Sequence, residues 1–120
     1  MFGWLARLFR PAVPGWIEPD ELRRRLATGA APLIVDVRGP DEFDGPLGHI
    51  GGARNIPLAG LPAHRRELAG AGAPIVCVCL TDKRSAQAAA DLAAAGARNV
   101  AVLRGGMTAW RALDAAPPPA

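Results

Sequence analysis

The sequence predicts an α/β domain with a central, mainly parallel sheet flanked by helices. Short apolar runs rich in Val and Ile alternate with Ala- and Leu-rich segments of helical spacing. Two of these runs, 32–37 and 73–79, do not alternate apolar with polar residues, as expected of strands buried on both faces. The length, 120 residues, suits one such domain and excludes a two-domain enzyme.

In chain order, Trp16 and Ile17 form a candidate edge strand. Pro19 opens a helix through Leu26 as a first-turn proline. Residues 32–37 form one central strand and 53–56 a short further strand. Pro62 opens a second helix to about Leu68, and 73–79 are the other central strand. The segment 85–95 is a helix by its run of alanines, with Gly96 as its stop. Residues 99–103 form another strand, Gly105 and Gly106 a turn, and 107–113 a last short helix that plugs the core with Trp110. The domain body is therefore expected over 16–114. It follows an arm and linker over 1–15 and precedes a tail over 115–120 that contains three successive prolines.

Composition narrows the function classes. Half of the residues are hydrophobic, yet no apolar run approaches the roughly 20 residues of a bilayer span, and Met1 to Arg10 has no secretory cleavage site. A soluble protein is expected. The formal charge is +3, of which Arg7 and Arg10 supply two, and basic residues do not cluster with aromatics, so a nucleic-acid partner is not expected. Cys77 and Cys79 lie two apart on a strand, roughly 6.5–7 Å at extended rise, near or beyond disulfide reach. This fits a reducing, cytoplasmic setting. His49 and His64 lack a second ligand at metal spacing, and neither Gly51-Gly52 nor Gly105-Gly106 has the form of a dinucleotide loop, so no metal or cofactor is expected.

The first ten residues place Phe2, Trp4, Leu5, Leu8 and Phe9 on one helical arc, with Arg7 and Arg10 opposite. The expected use is packing against the domain or a second copy. Weak, reversible membrane contact is the alternative.

The chemistry concentrates in a buried strand ending at Cys79, a loop of Leu80, Thr81, Asp82, Lys83 and Arg84, and a helix expected to begin at Ser85. The first N–H groups of a helix have no internal partner, and a tight preceding loop can add more, so this order builds an anion cradle. Cys79 would sit at its centre as a nucleophilic thiolate, favoured by the amides, the helix dipole and the Arg84 cation. Cys77, two residues back in the apolar strand, is expected to be inert packing. Asp82 would repel an anionic donor if it faced inward, or pair with Lys83 or Arg84 if it faced outward. Asp36, Arg38 and Glu42 are read as an ion-paired scaffold at the strand end.

The Cys-x4-Arg-Ser segment from Cys79 to Ser85 resembles the active-site loop of rhodanese-type sulfurtransferases. The segments 33–38, 41–43, 48–57 and 105–110 resemble the same family in order and spacing. The resemblance implies a single rhodanese-like domain in which Cys79 takes a sulfane sulfur as a persulfide, with Leu80, Thr81, Asp82, Lys83, Arg84 and Ser85 binding substrate. It implies a small donor such as thiosulfate or a low-molecular-weight persulfide, a thiol or cyanide acceptor, and a protein thiol as a further partner. The family's phosphatase relatives carry a loop one residue longer. The competing reading keeps the fold as a docking or regulatory module with little turnover.

Overall fold

The computed structural model describes residues 13–115, so the predicted arm over 1–10 and most of the predicted tail lie outside the described residues. Five strands, β1 (Gly15–Ile17), β2 (Leu33–Asp36), β3 (Arg54–Asn55), β4 (Ile75–Val78) and β5 (Val100–Leu103), form one sheet in the order β1-β5-β4-β2-β3. Every pairing is parallel, with Leu33 beside Ile75 and Ile75 beside Val100. The helices are α1 (Pro19–Ala27), α2 (Pro40–Phe43), α3 (Arg65–Gly70), α4 (Lys83–Ala94) and α5 (Gly106–Ala115). The sheet starts at Gly15 and α5 runs to Ala115.

Successive strand side chains point to opposite faces, and this divides the core in two. Val35, Val37, Cys77, Cys79 and Val102 pack with Leu61, Leu68, Ala88, Ala89 and Leu92 on one face. Ile34, Val76, Val78 and Leu103 pack with Leu22, Met107 and Trp110 on the other. Both faces of β4 are therefore covered, which explains why its sequence does not alternate. The buried alanines of α4 let that helix approach the sheet closely, and Trp110 is the core plug that the sequence predicts. No helix among the described residues is long and apolar enough to cross a membrane.

Three local differences have physical causes. The helix expected from Pro62 is instead a 3-10 segment, Leu58–His64, that continues into α3, with Pro62 inside it. Its turn begins where Leu58 N–H donates to the Val37 carbonyl and Gly60 N–H to that of Pro57, and proline's fixed φ suits 3-10 geometry. Helix α4 begins at Lys83 rather than Ser85, with Asp82 as the preceding cap residue and Ala86 N–H donating to the Asp82 carbonyl. Two cations in a first helical turn oppose the dipole, but Arg84 is neutralised by a carboxylate from another element. The sequence reading also missed α2. Its signal was Pro40 at the first helical position, with Glu42 accepting a hydrogen bond from Gly39 N–H at 3.1 Å.

The loop after β2 is organised by a buried ion pair. Arg38 and Asp36 are each 1% exposed, and Arg38 Nε and Nη2 both donate to the Asp36 carboxylate, the latter at 2.8 Å. Arg38 further donates to the carbonyls of Glu42 and Gly48, while Asn55 Nδ2 donates to the carbonyls of Asp36 and Arg38. Asp36 and Arg38 form the ion pair of the predicted scaffold, which Glu42 joins through its backbone carbonyl rather than its carboxylate. Removing one partner leaves a buried charge uncompensated, so Asp36→Ala should lower unfolding free energy by about 3–5 kcal/mol. Urea denaturation would measure this, and a loss below about 1 kcal/mol would contradict the scaffold role.

Candidate active site

In the middle of the sheet the chain leaves β2 toward β3 on one side and leaves the adjacent β4 toward β5 on the other. The loops beyond the carboxyl ends of these neighbouring strands therefore diverge, which is where open parallel sheets form a crevice. Cys79 is the first residue beyond β4 and lies in that position.

The Cys79 side chain is turned under the loop, and the residue is 1% exposed. Its Sγ lies 3.2 Å from Ser85 Oγ and receives the Ser85 N–H at 3.4 Å. Ser85 is fully buried in the first turn of α4, so the sulfur meets a helix N-terminus directly. The N–H groups of Leu80, Thr81, Asp82, Lys83 and Arg84 donate to no protein acceptor among the described residues. Five successive unpaired amides, three in the loop and two in the first turn of α4, are the raw material of an anion cradle.

The same loop is pinned from behind. Met107 N–H donates to the Cys79 carbonyl at 2.9 Å and Thr108 N–H to the Leu80 carbonyl at 3.1 Å, so the loop satisfies orphan donors of α5. In planar trans peptides the N–H opposes its C=O, so these bonds turn the Leu80 and Thr81 amides away from α5. Gly106 makes this approach possible. A β-carbon there would lie 2.3 Å from the carbonyl oxygens of Cys79 and Thr81, and its φ is +54°. The sequence reading took Gly105-Gly106 as a turn only. The missed signal was a glycine opening a helix that packs against the loop's own backbone.

The charges differ from expectation in one respect. Arg84 does not direct its guanidinium at the sulfur, because Nη1 and Nη2 are bound to the two carboxylate oxygens of Glu42 at 2.8 and 3.0 Å. The Arg84 hydrogen bonds hold the Glu42 carboxyl down at about 2, against the opposing effect of desolvation, and Glu42 in turn raises the Arg84 pKa. Arg84 therefore makes no hydrogen bond to Cys79. Asp82 pairs with neither Lys83 nor Arg84 among the described residues. It is half-buried at the cap position and makes no side-chain capping bond. Leu80, Thr81 and Lys83 are exposed on the loop.

Cys77 is fully buried within β4, and burial, with a smaller repulsion from Cys79, pushes its thiol up to about 12. It cannot supply a thiolate at neutral pH. His49 stacks on Phe43 with ring centroids 3.6 Å apart and bonds the Phe43 carbonyl through Nδ1 at 2.9 Å, so it braces the segment that carries Glu42. His64 lies beside Glu67 on the surface of the 3-10 segment.

A parallel sheet with a cysteine loop at the end of its central strand and helices on both faces defines a small cysteine-loop α/β domain. The profile of the rhodanese-like domain matches residues 18–113, and the chain belongs to that family. It is 40% identical over 77 residues to the uncharacterized protein YqhL of Bacillus subtilis, a match covering 64% of this chain and 59% of that protein. It is 38% identical over 103 residues to the probable adenylyltransferase/sulfurtransferase MoeZ of Mycobacterium tuberculosis, covering 78% of this chain but only 24% of that one. The chain thus spans less than two thirds of the length of either relative. The thiosulfate sulfurtransferase GlpE of Ectopseudomonas mendocina is 35% identical over 96 residues, covering 80% of this chain and 84% of that protein. A solved structure of a rhodanese-like domain protein from Staphylococcus aureus superposes with a TM-score of 0.71 at 31% identity, over 80% of this chain and 90% of that one.

Two outcomes follow from this geometry. Gly106→Ala should push the loop off α5, lowering stability by about 2 kcal/mol or more and at least doubling the rate at which iodoacetamide alkylates Cys79. Alkylation followed by mass spectrometry would check this, and an unchanged rate would show that the contact does not control the loop. Glu42, with its folded pKa depressed to about 2 from 4.5, stabilises the fold fully above its unfolded value, and that contribution is lost as pH falls through about 2. The carboxyl-carbon chemical shift of Glu42 should therefore stay that of a carboxylate at pH 4. A midpoint near 4.5 would mean that the Arg84 pair does not form in solution.

Proposed function

We propose that the protein is a sulfurtransferase or sulfur carrier that passes a sulfane sulfur through a persulfide on Cys79. The observation that carries this reading is the run of five unpaired amides that starts beside Cys79 and leads into Ser85, whose N–H and hydroxyl meet the sulfur. Relatives named as sulfurtransferases support it.

In the first half-reaction the Cys79 thiolate attacks the outer sulfur of the donor. With thiosulfate, a bond forms from Cys79 Sγ to that sulfur, the bond to the central sulfur breaks, and sulfite leaves with the electron pair. The two charges of thiosulfate and one of the thiolate become two on sulfite and one on the persulfide. In the second half-reaction an acceptor thiolate or cyanide attacks the terminal sulfur and Cys79 departs as thiolate. The amides of Leu80, Thr81, Asp82, Lys83 and Arg84, with Ser85, hold the terminal sulfur anion between the two steps. Their dipoles are fixed before the reaction, so no reorganisation is needed as charge moves. Neither half-reaction needs a metal or a cofactor.

Cys77 takes no part, since its thiol stays protonated at neutral pH. Two free cysteines close in sequence are consistent with work in a reducing cytoplasm. The acceptor is a small thiol, cyanide or a protein thiol.

Incubation with thiosulfate or a small persulfide, followed by intact mass with and without reductant, tests the reading. The expected result is a reducible gain of one sulfur that is lost in Cys79→Ala and kept in Cys77→Ala. If no donor adds sulfur to Cys79, the domain is a docking module rather than a carrier. Release of phosphate from an aryl phosphate would move it to the phosphatases.

A further inference from the structure

We propose that Glu42 is a specificity-determining residue that turns the site away from thiosulfate and toward an organic persulfide, whose carbon body occupies the cavity beside Leu80. This rests on the sulfur-transfer reading above and specifies its donor.

Two guanidinium groups lie close to the crevice, and both are already bound. Arg38 is buried and occupied by Asp36 and by the carbonyls of Glu42 and Gly48. Arg84 has both terminal nitrogens on the Glu42 carboxylate. A planar guanidinium binds an oxyanion through this same fork, so a sulfonate-like group must displace Glu42 to use it. Glu42 keeps its negative charge throughout the neutral range. Asp82 adds a second carboxylate on the loop, with no cation paired to it among the described residues.

Charge therefore separates the two donors. Attack on thiosulfate gathers three negative charges at the loop, next to a carboxylate that already holds the Arg84 guanidinium and leaves only the exposed Lys83 as an unpaired loop cation among the described residues. Attack on an organic persulfide gathers only one. The Cys79 thiolate bonds to the terminal sulfur of R–S–SH, the R–S to sulfur bond breaks, and R–S leaves with the electron pair. The departing R–S takes up the proton of the transferred sulfur, because a persulfide is a stronger acid than a thiol, so R–SH is released and the Cys79 persulfide is left as the anion that the amides hold. Atoms and charge balance without a further reactant, and Arg84 need not be released from Glu42.

Shape points the same way. A cavity of about 250 Å³ is lined by Arg38, Glu42, Pro46, Leu47 and Leu80, and its lining is almost wholly apolar. Leu80, the residue directly after Cys79, is 40% exposed at its edge. Small-molecule pockets run from about 300 Å³ upward, so this one suits a compact carbon group rather than a large ligand. Thiosulfate has no apolar part to place there.

The test compares the second-order rates at which thiosulfate and benzyl persulfide load sulfur onto Cys79, read by intact mass. In the unmodified protein benzyl persulfide should load at least tenfold faster. Glu42→Gln, which frees Arg84 and removes the negative charge, should shift the rate ratio about tenfold toward thiosulfate, in keeping with the loss of one nearby charge. Leu80→Ser, at an exposed position that should not disturb folding, should shift the ratio the same way by slowing benzyl persulfide. It keeps the test open should Glu42→Gln fold poorly. Faster loading by thiosulfate, or a ratio unmoved in both variants, would overturn the proposal and leave sulfur transfer standing. Loading by neither donor would overturn sulfur transfer itself, and this proposal with it.

Discussion

The ion pair between Asp36 and Arg38, closed off from water at the end of β2, is the constraint from which the rest of the site is built. An isolated buried charge is costly, and a buried pair is weak support for stability on its own. What this pair supplies is position. The guanidinium has donors left for the Glu42 and Gly48 carbonyls, so it holds both α2 and the turn that follows it. That segment presents Glu42 to Arg84 across the crevice. A pair at the end of the strand next to β4 thereby places a carboxylate beside the cysteine loop.

The loop itself is held from opposite sides by different kinds of interaction. In front, Glu42 and Arg84 form a half-exposed, bidentate ion pair. Behind, backbone amides of α5 hold the carbonyls of Cys79 and Leu80. The amides that face neither support are those from Leu80 to Arg84. The unpaired dipoles are thus produced by the anchoring of the rest of the loop, in the same hydrogen bonds that define its shape.

Much of this was legible in the sequence because it follows from local rules. The two unpatterned apolar runs became the central strands, and the alanine-rich run became the helix that packs on them. The cysteine at a strand end before a helix start pointed to the candidate site. What was not legible depends on distance in sequence. Nothing near Arg84 indicates that a carboxylate 42 residues earlier will take its guanidinium. Nothing near Gly106 indicates that the backbone of Cys79 and Thr81 will lie against it. The start of α4 was misplaced for the same reason, since cations look unfavourable in a first turn until Glu42 is brought to Arg84.

The contact between Gly106 and the loop also limits how the loop can change over evolutionary time or by design. The carbonyls at 79 and 80 are tied to α5, and the space behind Leu80 is too narrow for even a methyl group. An extra residue between the cysteine and the arginine can therefore be accommodated only on the outer side, after Leu80, where it would lift the guanidinium outward and away from its carboxylate. Widening the ring of amides to hold a tetrahedral oxyanion would then require a new counter-charge as well as a longer loop. Insertion alone would make a larger ring without the cation to fill it.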